Sequence, residues 1–238
     1  MCILHTRAPA AAASRIFRIV SGSFPIFDGV VEQLLGWMAP SQALDIGAGS
    51  GKYGRMLERA APACERFALE INDQHVEQFG LRSLYQQVEA MDAARWWQED
   101  PDSAFDVVTI GDCLQHLPKS AGLDLLNALV YRCAWLVVLV PEFIVQGAVD
   151  GADSAVHRSV WSERDMHWHD LWAWDNARAI SFFVLRGYRP SPQLDIDTLV
   201  RRVNDGALSL KDYDGQGVVR PCRLRLVEHP REVGYRAR

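Results

Sequence analysis

No two cysteines in the 238-residue sequence are spaced as C-x-x-C. The five present, Cys2, Cys64, Cys113, Cys133 and Cys222, are an odd number at wide, irregular intervals. That pattern fits neither a disulfide framework nor a zinc ribbon, and a reducing compartment is the expectation. Long apolar runs are missing too: none approaches the roughly 18–20 residues that span a bilayer. The N-terminal stretch has small residues but no apolar segment before them, and Arg7, Arg15 and Arg18 interrupt it. It does not read as a signal peptide, so a cytoplasmic protein without membrane contact is expected. There is no internal repeat and no long low-complexity tract. Excess positive charge is absent as well. A formal net charge of -5 argues against a general polyanion binder, because affinity for phosphate backbones comes from clustered Lys and Arg. Nucleic acid is not an expected partner.

What is present is ordinary globular material. Apolar residues make up 49% and charged residues 23% of the chain, enough to build a sizeable core. From Pro25 onward, Val30, Val31, Leu34, Leu35 and Met38 recur at helical spacing until Pro40 stops the pattern. A short apolar strand at 42–46 runs into glycines and then a helical stretch at 53–59. Strands are predicted at 67–71, 84–88, 105–110 and 135–140, with helices at 74–81 and 121–133 between them. Near-continuous apolar strands alternating with helices imply a mostly parallel sheet covered on both faces, a doubly wound α/β fold. Beyond residue 140 the rhythm fails. Residues 141–178, rich in Trp, His and Asp, read as an inserted lid, 177–186 as a helix, and 222–227 as a strand closing the sheet antiparallel.

The strand–turn–helix junction carries the main motif, Asp45-Ile46-Gly47-Ala48-Gly49-Ser50-Gly51. Glycines permit positive φ and let backbone approach a ligand closely. Such a ligand lies at the carboxyl end of a strand, with free helix N–H groups beside it. The loop resembles the D-x-G-x-G-x-G signature of class I S-adenosylmethionine (SAM)-dependent methyltransferases. A dinucleotide frame also fits, at Gly49, Gly51 and Gly54; a phosphate loop does not, because Ile46 and Tyr53 stand where it needs Gly and Ser or Thr. Asp45 favours the sulfonium nucleoside: a carboxylate there can receive the methionine ammonium, directly or through water, whereas it repels a pyrophosphate.

The resemblance extends along residues 42–140 and implies a seven-stranded Rossmann-like sheet. It implies contact with SAM through Asp45, Gly47, Ala48, Gly49 and Gly51. Glu70, 25 residues beyond Asp45, stands where the class places a carboxylate on the ribose hydroxyls, with Ile71 beside it. Asp92 resembles the adenine-binding Asp, flanked by Met91 and Ala93; it also suits a helix N-cap. Trp96 and Trp97 read as core. Asp112, after the fourth strand, falls in the segment that holds the methionine part. The stretch His157-Arg158-Ser159-Val160-Trp161 resembles an H-x-S-x-W segment of small bacterial methyltransferases in polysaccharide or secondary-metabolite pathways. Where that subgroup has Asn after Asp-Gly, Ala152 stands here.

Methyl transfer to a weakly acidic hydroxyl needs a base, and His is suited to that near neutral pH. His116 is the first candidate, His157 the second, and Glu142 a third. His167, His169 and Asp170 invite a metal reading, but no third well-spaced ligand accompanies the two imidazoles, and no metal is expected. One domain is expected: an N-terminal helical cap (1–40), a SAM-binding core (42–140), a lid (141–178) and a sheet-completing tail (179–238). The expected activity is SAM-dependent methylation of a small molecule, at an oxygen of a secondary metabolite or sugar-like group. N-methylation, an NAD-dependent oxidoreductase and a non-catalytic SAM-binding protein are the alternatives. A homodimer is compatible with the exposed tryptophan stretch.

Overall fold

The computed structural model describes residues 23–100, 102–148, 153–190 and 195–227. The first 22 residues of the expected N-terminal cap, with Cys2 and His5, lie outside them. So do Asp150, Gly151, Ala152 and His229. The chain opens with α1 (Asp28–Met38), β1 (Gln42–Ile46), α2 (Lys52–Ala60), β2 (Glu65–Leu69), α3 (Asp73–Gln78), α4 (Leu81–Leu84) and β3 (Gln87–Glu89). It continues through α5 (Ala93–Glu99), β4 (Phe105–Gly111), α6 (Lys119–Val130) and β5 (Cys133–Pro141). After a long connection come α7 (Glu163–Met166), β6 (Leu171–Ala177), β7 (Ile180–Arg186), α8 (Ile196–Asp205), β8 (Ser209–Lys211), β9 (Val218–Pro221) and β10 (Arg225–Leu226).

The main sheet runs β10-β6-β7-β5-β4-β1-β2-β3. Neighbours from β3 to β5 pair in parallel, and β7 lies antiparallel to both β5 and β6. This is the doubly wound α/β architecture expected, with eight strands rather than seven. The extra strand is β10, which extends the edge antiparallel to β6. Two apolar layers cover the sheet. Val31, Leu35, Leu57 and Leu199 from α1, α2 and α8 pack on Val107, Val137 and Phe182 on one face. On the other, Trp96 and Leu125 from α5 and α6 pack on Leu44, Ile46, Val108 and Val138. Alternate residues of β1 and β4 feed opposite layers, as a pleated strand buried on both sides requires. Among the described residues no helix is long and apolar enough to cross a membrane.

The region after β5 departs from the sequence expectation. The last part of the expected lid, residues 171–177, is strand β6 in the sheet, and the expected helix at 177–186 is strand β7. In β6 buried and half-exposed residues alternate, and a bulge between Leu171 and Ala173 sets Trp172 against Trp135 in one layer while Trp174 packs on the other. β7 is buried throughout, so it carries no period that separates strand from helix. The two strands join through Arg178 and Ala179, with φ of 54° and 57°. That is the backbone of a two-residue hairpin turn, built without the Gly or Asn that usually marks one.

Candidate functional site

The glycine loop leaves β1 at the carboxyl edge of the sheet, and the Gly47 and Ala48 amides donate to the Leu69 carbonyl at 2.9 and 3.1 Å. Gly47, Gly49 and Gly51 have φ of 73°, 51° and 79°, a region costly for residues with a Cβ. Their surroundings separate their tasks. A Cβ on Gly47 would strike the Cys113 side chain, one on Gly51 would strike Leu81 and Leu84, and one on Gly54 would strike the Tyr85 ring. A Cβ on Gly49 would meet only the Gly47 carbonyl, at 3.8 Å. Three glycines thus serve packing within the protein, and Gly49 faces open space.

Four carboxylates end neighbouring strands. Asp45 has no exposed surface; it accepts a hydrogen bond from the Tyr85 hydroxyl at 2.5 Å and one from Thr109 at 3.0 Å. Burial pushes its pKa up to about 6 against the lowering effect of both hydroxyls. The side chain for which a cofactor contact is expected thus lies behind the loop and braces it. Glu70 accepts from the Gly49 amide at 2.7 Å and the Asn72 amide at 2.9 Å, so it ties the loop to the end of β2. Ile71 beside it is 57% exposed, an apolar surface at the edge of the loop. Asp92 caps α5 by accepting from the Ala94 amide at 2.9 Å. Met91 packs half-buried against the core, whereas Ala48 and Ala93 are buried. Trp96 is core.

Asp112 follows β4 with φ of 51°. One carboxylate oxygen accepts from the Phe24 amide at 2.8 Å; the other, Oδ1, is buried without a hydrogen-bond partner. Burial raises its pKa to about 7. Opposite it, Lys52 donates to the Ser23 and Phe24 carbonyls and pairs with Asp28 at 2.6 Å. Residues 23–28 are therefore strapped between the end of the glycine loop and the end of β4. Sequence reasoning missed Lys52, Tyr85 and Thr109. Only Lys52 carried a local signal, its place directly after the last loop glycine.

His116 and His157 come from segments far apart in sequence and meet with ring centroids 5.1 Å apart. His116 ends a 3₁₀ turn at Leu114–His116 just past β4. Its Nδ1 lies 3.2 Å from the Val156 carbonyl, and Nδ1 of His157 lies 2.8 Å from that of Ile144. A carbonyl only accepts, so each Nδ1 carries a proton, and in the neutral form of either ring Nε2 is the basic nitrogen. The amide nitrogen of Gln115 sits 3.3 Å from His116 Nε2. Burial lowers the His116 pKa below its ordinary value. The segment bearing His157 is pinned to this turn: the Arg158 and Ser159 amides donate to the Gln115 carbonyl, and the Ser159 hydroxyl and Trp161 indole donate to that of Leu114. Trp161 is buried against Gly122, which has room for no side chain there. Glu142 accepts from Ser181 at 2.7 Å. His169 contacts Asn127 at 3.0 Å, and Trp168 is 84% exposed. Among the described residues no three His, Cys, Asp or Glu side chains are grouped to hold a metal.

Residues 43–132 match the sequence family described as "Methyltransferase domain". Over this stretch the chain is similar to a methyltransferase domain, and S-adenosyl-L-methionine is the cofactor that the match supports. The match covers the glycine loop and so sets aside the dinucleotide frame. No curated protein matches the sequence. Solved structures share the fold. An O-methyltransferase family protein from Burkholderia thailandensis aligns over 68% of this chain and 55% of its own, with 12% identity and a TM-score of 0.51. The plantazolicin methyltransferase BpumL, solved in complex with SAH, aligns over 68% of this chain and 85% of its own, with 11% identity and a TM-score of 0.52. The chain thus spans little more than half the length of the Burkholderia protein. Two features of the site fit the cofactor: the open space over Gly49 and the buried Asp112 oxygen that has no hydrogen-bond partner among the described residues.

Proposed function

We propose that the protein transfers the methyl group of SAM to an oxygen of a small-molecule acceptor, with His116 as general base and His157 supporting it. The bound cofactor supplies the electrophilic methyl; the protein supplies orientation, exclusion of water and a proton acceptor. Asp112 Oδ1 receives the methionine ammonium, Glu70 accepts from the ribose hydroxyls with its remaining lone pairs, and Asp92 accepts from the adenine amine. Ile71 and Met91 flank the adenine ring, and Gly49 gives the backbone its close approach.

The paired histidines carry the reading. Two imidazoles meet edge to face past the end of β4, each with its Nδ1–H fixed by a backbone carbonyl, which leaves Nε2 as the position that can accept a proton. An acceptor hydroxyl takes the place of the Gln115 amide at His116 Nε2 and gives up its proton there. A hydroxyl acceptor suits this arrangement because the oxygen must shed a proton to become a strong nucleophile. The acidic surface supports a small metabolite or sugar-like group over nucleic acid.

The test is a screen of hydroxyl-bearing metabolites with labelled SAM, followed by His116→Ala on the first acceptor found. Loss of about 10²–10⁴-fold in kcat with unchanged SAH affinity is expected. A variant with wild-type kcat removes His116 from the chemistry.

A further inference from the structure

We infer that Tyr85 is a positioning residue for the cofactor: its hydroxyl ties together the two ends of the glycine loop. The inference rests on the SAM-binding reading of that loop. Tyr85 lies between α4 and β3 and is 3% exposed. Its hydroxyl donates to Asp45, one residue from the end of β1, at 2.5 Å. The same oxygen accepts from the Gly54 amide, in the first turn of α2, at 3.0 Å. The cofactor loop is the chain between those two points.

Both contacts answer a local need. The first N–H groups of a helix lack partners within it, and the N-cap of α2 is Gly51, which has no side chain to supply one. Tyr85 fills that role from another element. Asp45 is a carboxylate with no exposed surface, and such a group persists only when hydrogen-bonded. Tyr85 and Thr109 are the donors it has. Gly54 completes the device, since a Cβ there would occupy the position of the Tyr85 hydroxyl and ring edge. The fourth glycine of the run thus serves the tyrosine and not the ligand.

The charged and titratable groups acting on Asp45 are Tyr85, Glu70 and Lys52, with the Thr109 hydroxyl alongside. Burial and Glu70 favour its neutral form; Tyr85, Thr109 and Lys52 favour the carboxylate. Removing the Tyr85 hydroxyl therefore moves the titration of Asp45 upward, toward neutral pH. SAH affinity falls where Asp45 loses its charge and the loop loses its brace.

The experiment is calorimetric titration of SAH into the full chain and into Tyr85→Phe at several values between pH 5.5 and 8.5, repeated with Asp112→Asn in both, which removes the other carboxylate that burial makes titrate near pH 7. The ring, and with it the packing under α2, is kept. The expected result is about a tenfold weaker Kd at pH 7.5, with the acid fall-off of affinity beginning at higher pH than in the wild type. Gly54→Ala, which displaces the hydroxyl while leaving Tyr85 in the chain, is expected to move the fall-off in the same direction. A general loss of packing lowers thermal stability without moving that midpoint. Wild-type Kd and midpoint in both variants overturn the inference while leaving the cofactor reading intact. A wild-type protein that ignores SAH at millimolar concentration overturns the two together.

Discussion

Replacing Asp112 by Asn removes a charge that burial disfavours and that the Phe24 amide and the field of Lys52 offset only in part. One carboxylate oxygen is engaged by the Phe24 amide, and the other is buried without a partner. Burial lifts the pKa from 3.8 to about 7. An acid bound more tightly to its proton in the folded state adds stability below its unfolded pKa, and that stability disappears as pH rises through the folded value. At pH 8 the ligand-free protein therefore carries the unfavourable carboxylate, and at pH 5.5 it does not. Asn stays neutral at both. Leaving a buried polar group unsatisfied costs about 1–3 kcal/mol, so the ligand-free variant gains up to that amount at pH 8 and a smaller part of it at pH 5.5, where the unfolded carboxyl is already ionised. For a chain of this size each 1 kcal/mol moves Tm by about 2–4 °C. SAH binding shifts the opposite way: losing a charged hydrogen bond weakens the Kd by about 10–100-fold. The assays are thermal melts at the two pH values and calorimetry with SAH. A variant destabilised equally at both pH values and binding SAH as the wild type does would refute the placement of the ammonium.

Two further substitutions probe the loop itself. Gly49→Val puts a branched side chain into the one loop position that opens on empty space, so a folded variant is expected to show no SAH binding by calorimetry; unchanged affinity contradicts the cofactor's placement there. Glu70→Ala removes the carboxylate that holds the Gly49 and Asn72 amides, and SAH affinity should drop by about 1–3 kcal/mol. No measurable change takes Glu70 out of both the ribose contact and the bracing of the loop.

The glycine loop is legible in the sequence because its requirements are local: positive φ at the alternate positions 47, 49 and 51 admits little but glycine. Whereas β3, expected at 84–88, is the polar-flanked Gln87–Glu89 because Leu81–Leu84 closes a helix, strands β4 and β5 are legible for a similar reason, since each is a short apolar run between helical segments. The β6–β7 hairpin is not. Arg178 and Ala179 adopt the turn without a glycine, and β7 is buried on both faces, so neither the turn nor the period announces a strand. The tryptophans at 172 and 174 then suggest a lid, although they alternate along β6 as half-covered residues of a sheet near its edge.

The acidic residues show where sequence reasoning reaches its physical limit. Asp45 and Asp112 end adjacent strands and have the same chemistry, and sequence position alone gives Asp45 the stronger claim on the ammonium. What separates them is supplied from far along the chain. Tyr85, 40 residues away, and Thr109, 64 residues away, engage both oxygens of Asp45. Phe24, 88 residues away, engages only one of Asp112. Asp45, with both oxygens engaged and no exposed surface, is held as part of the scaffold, whereas Asp112, with a buried oxygen to spare among the described residues, retains a demand for a donor. That demand lowers the stability of the free protein, and a ligand cation is the kind of group that meets it. The cofactor end of the site is thus marked by the least satisfied of its carboxylates, a property of the fold that no local pattern of residues records.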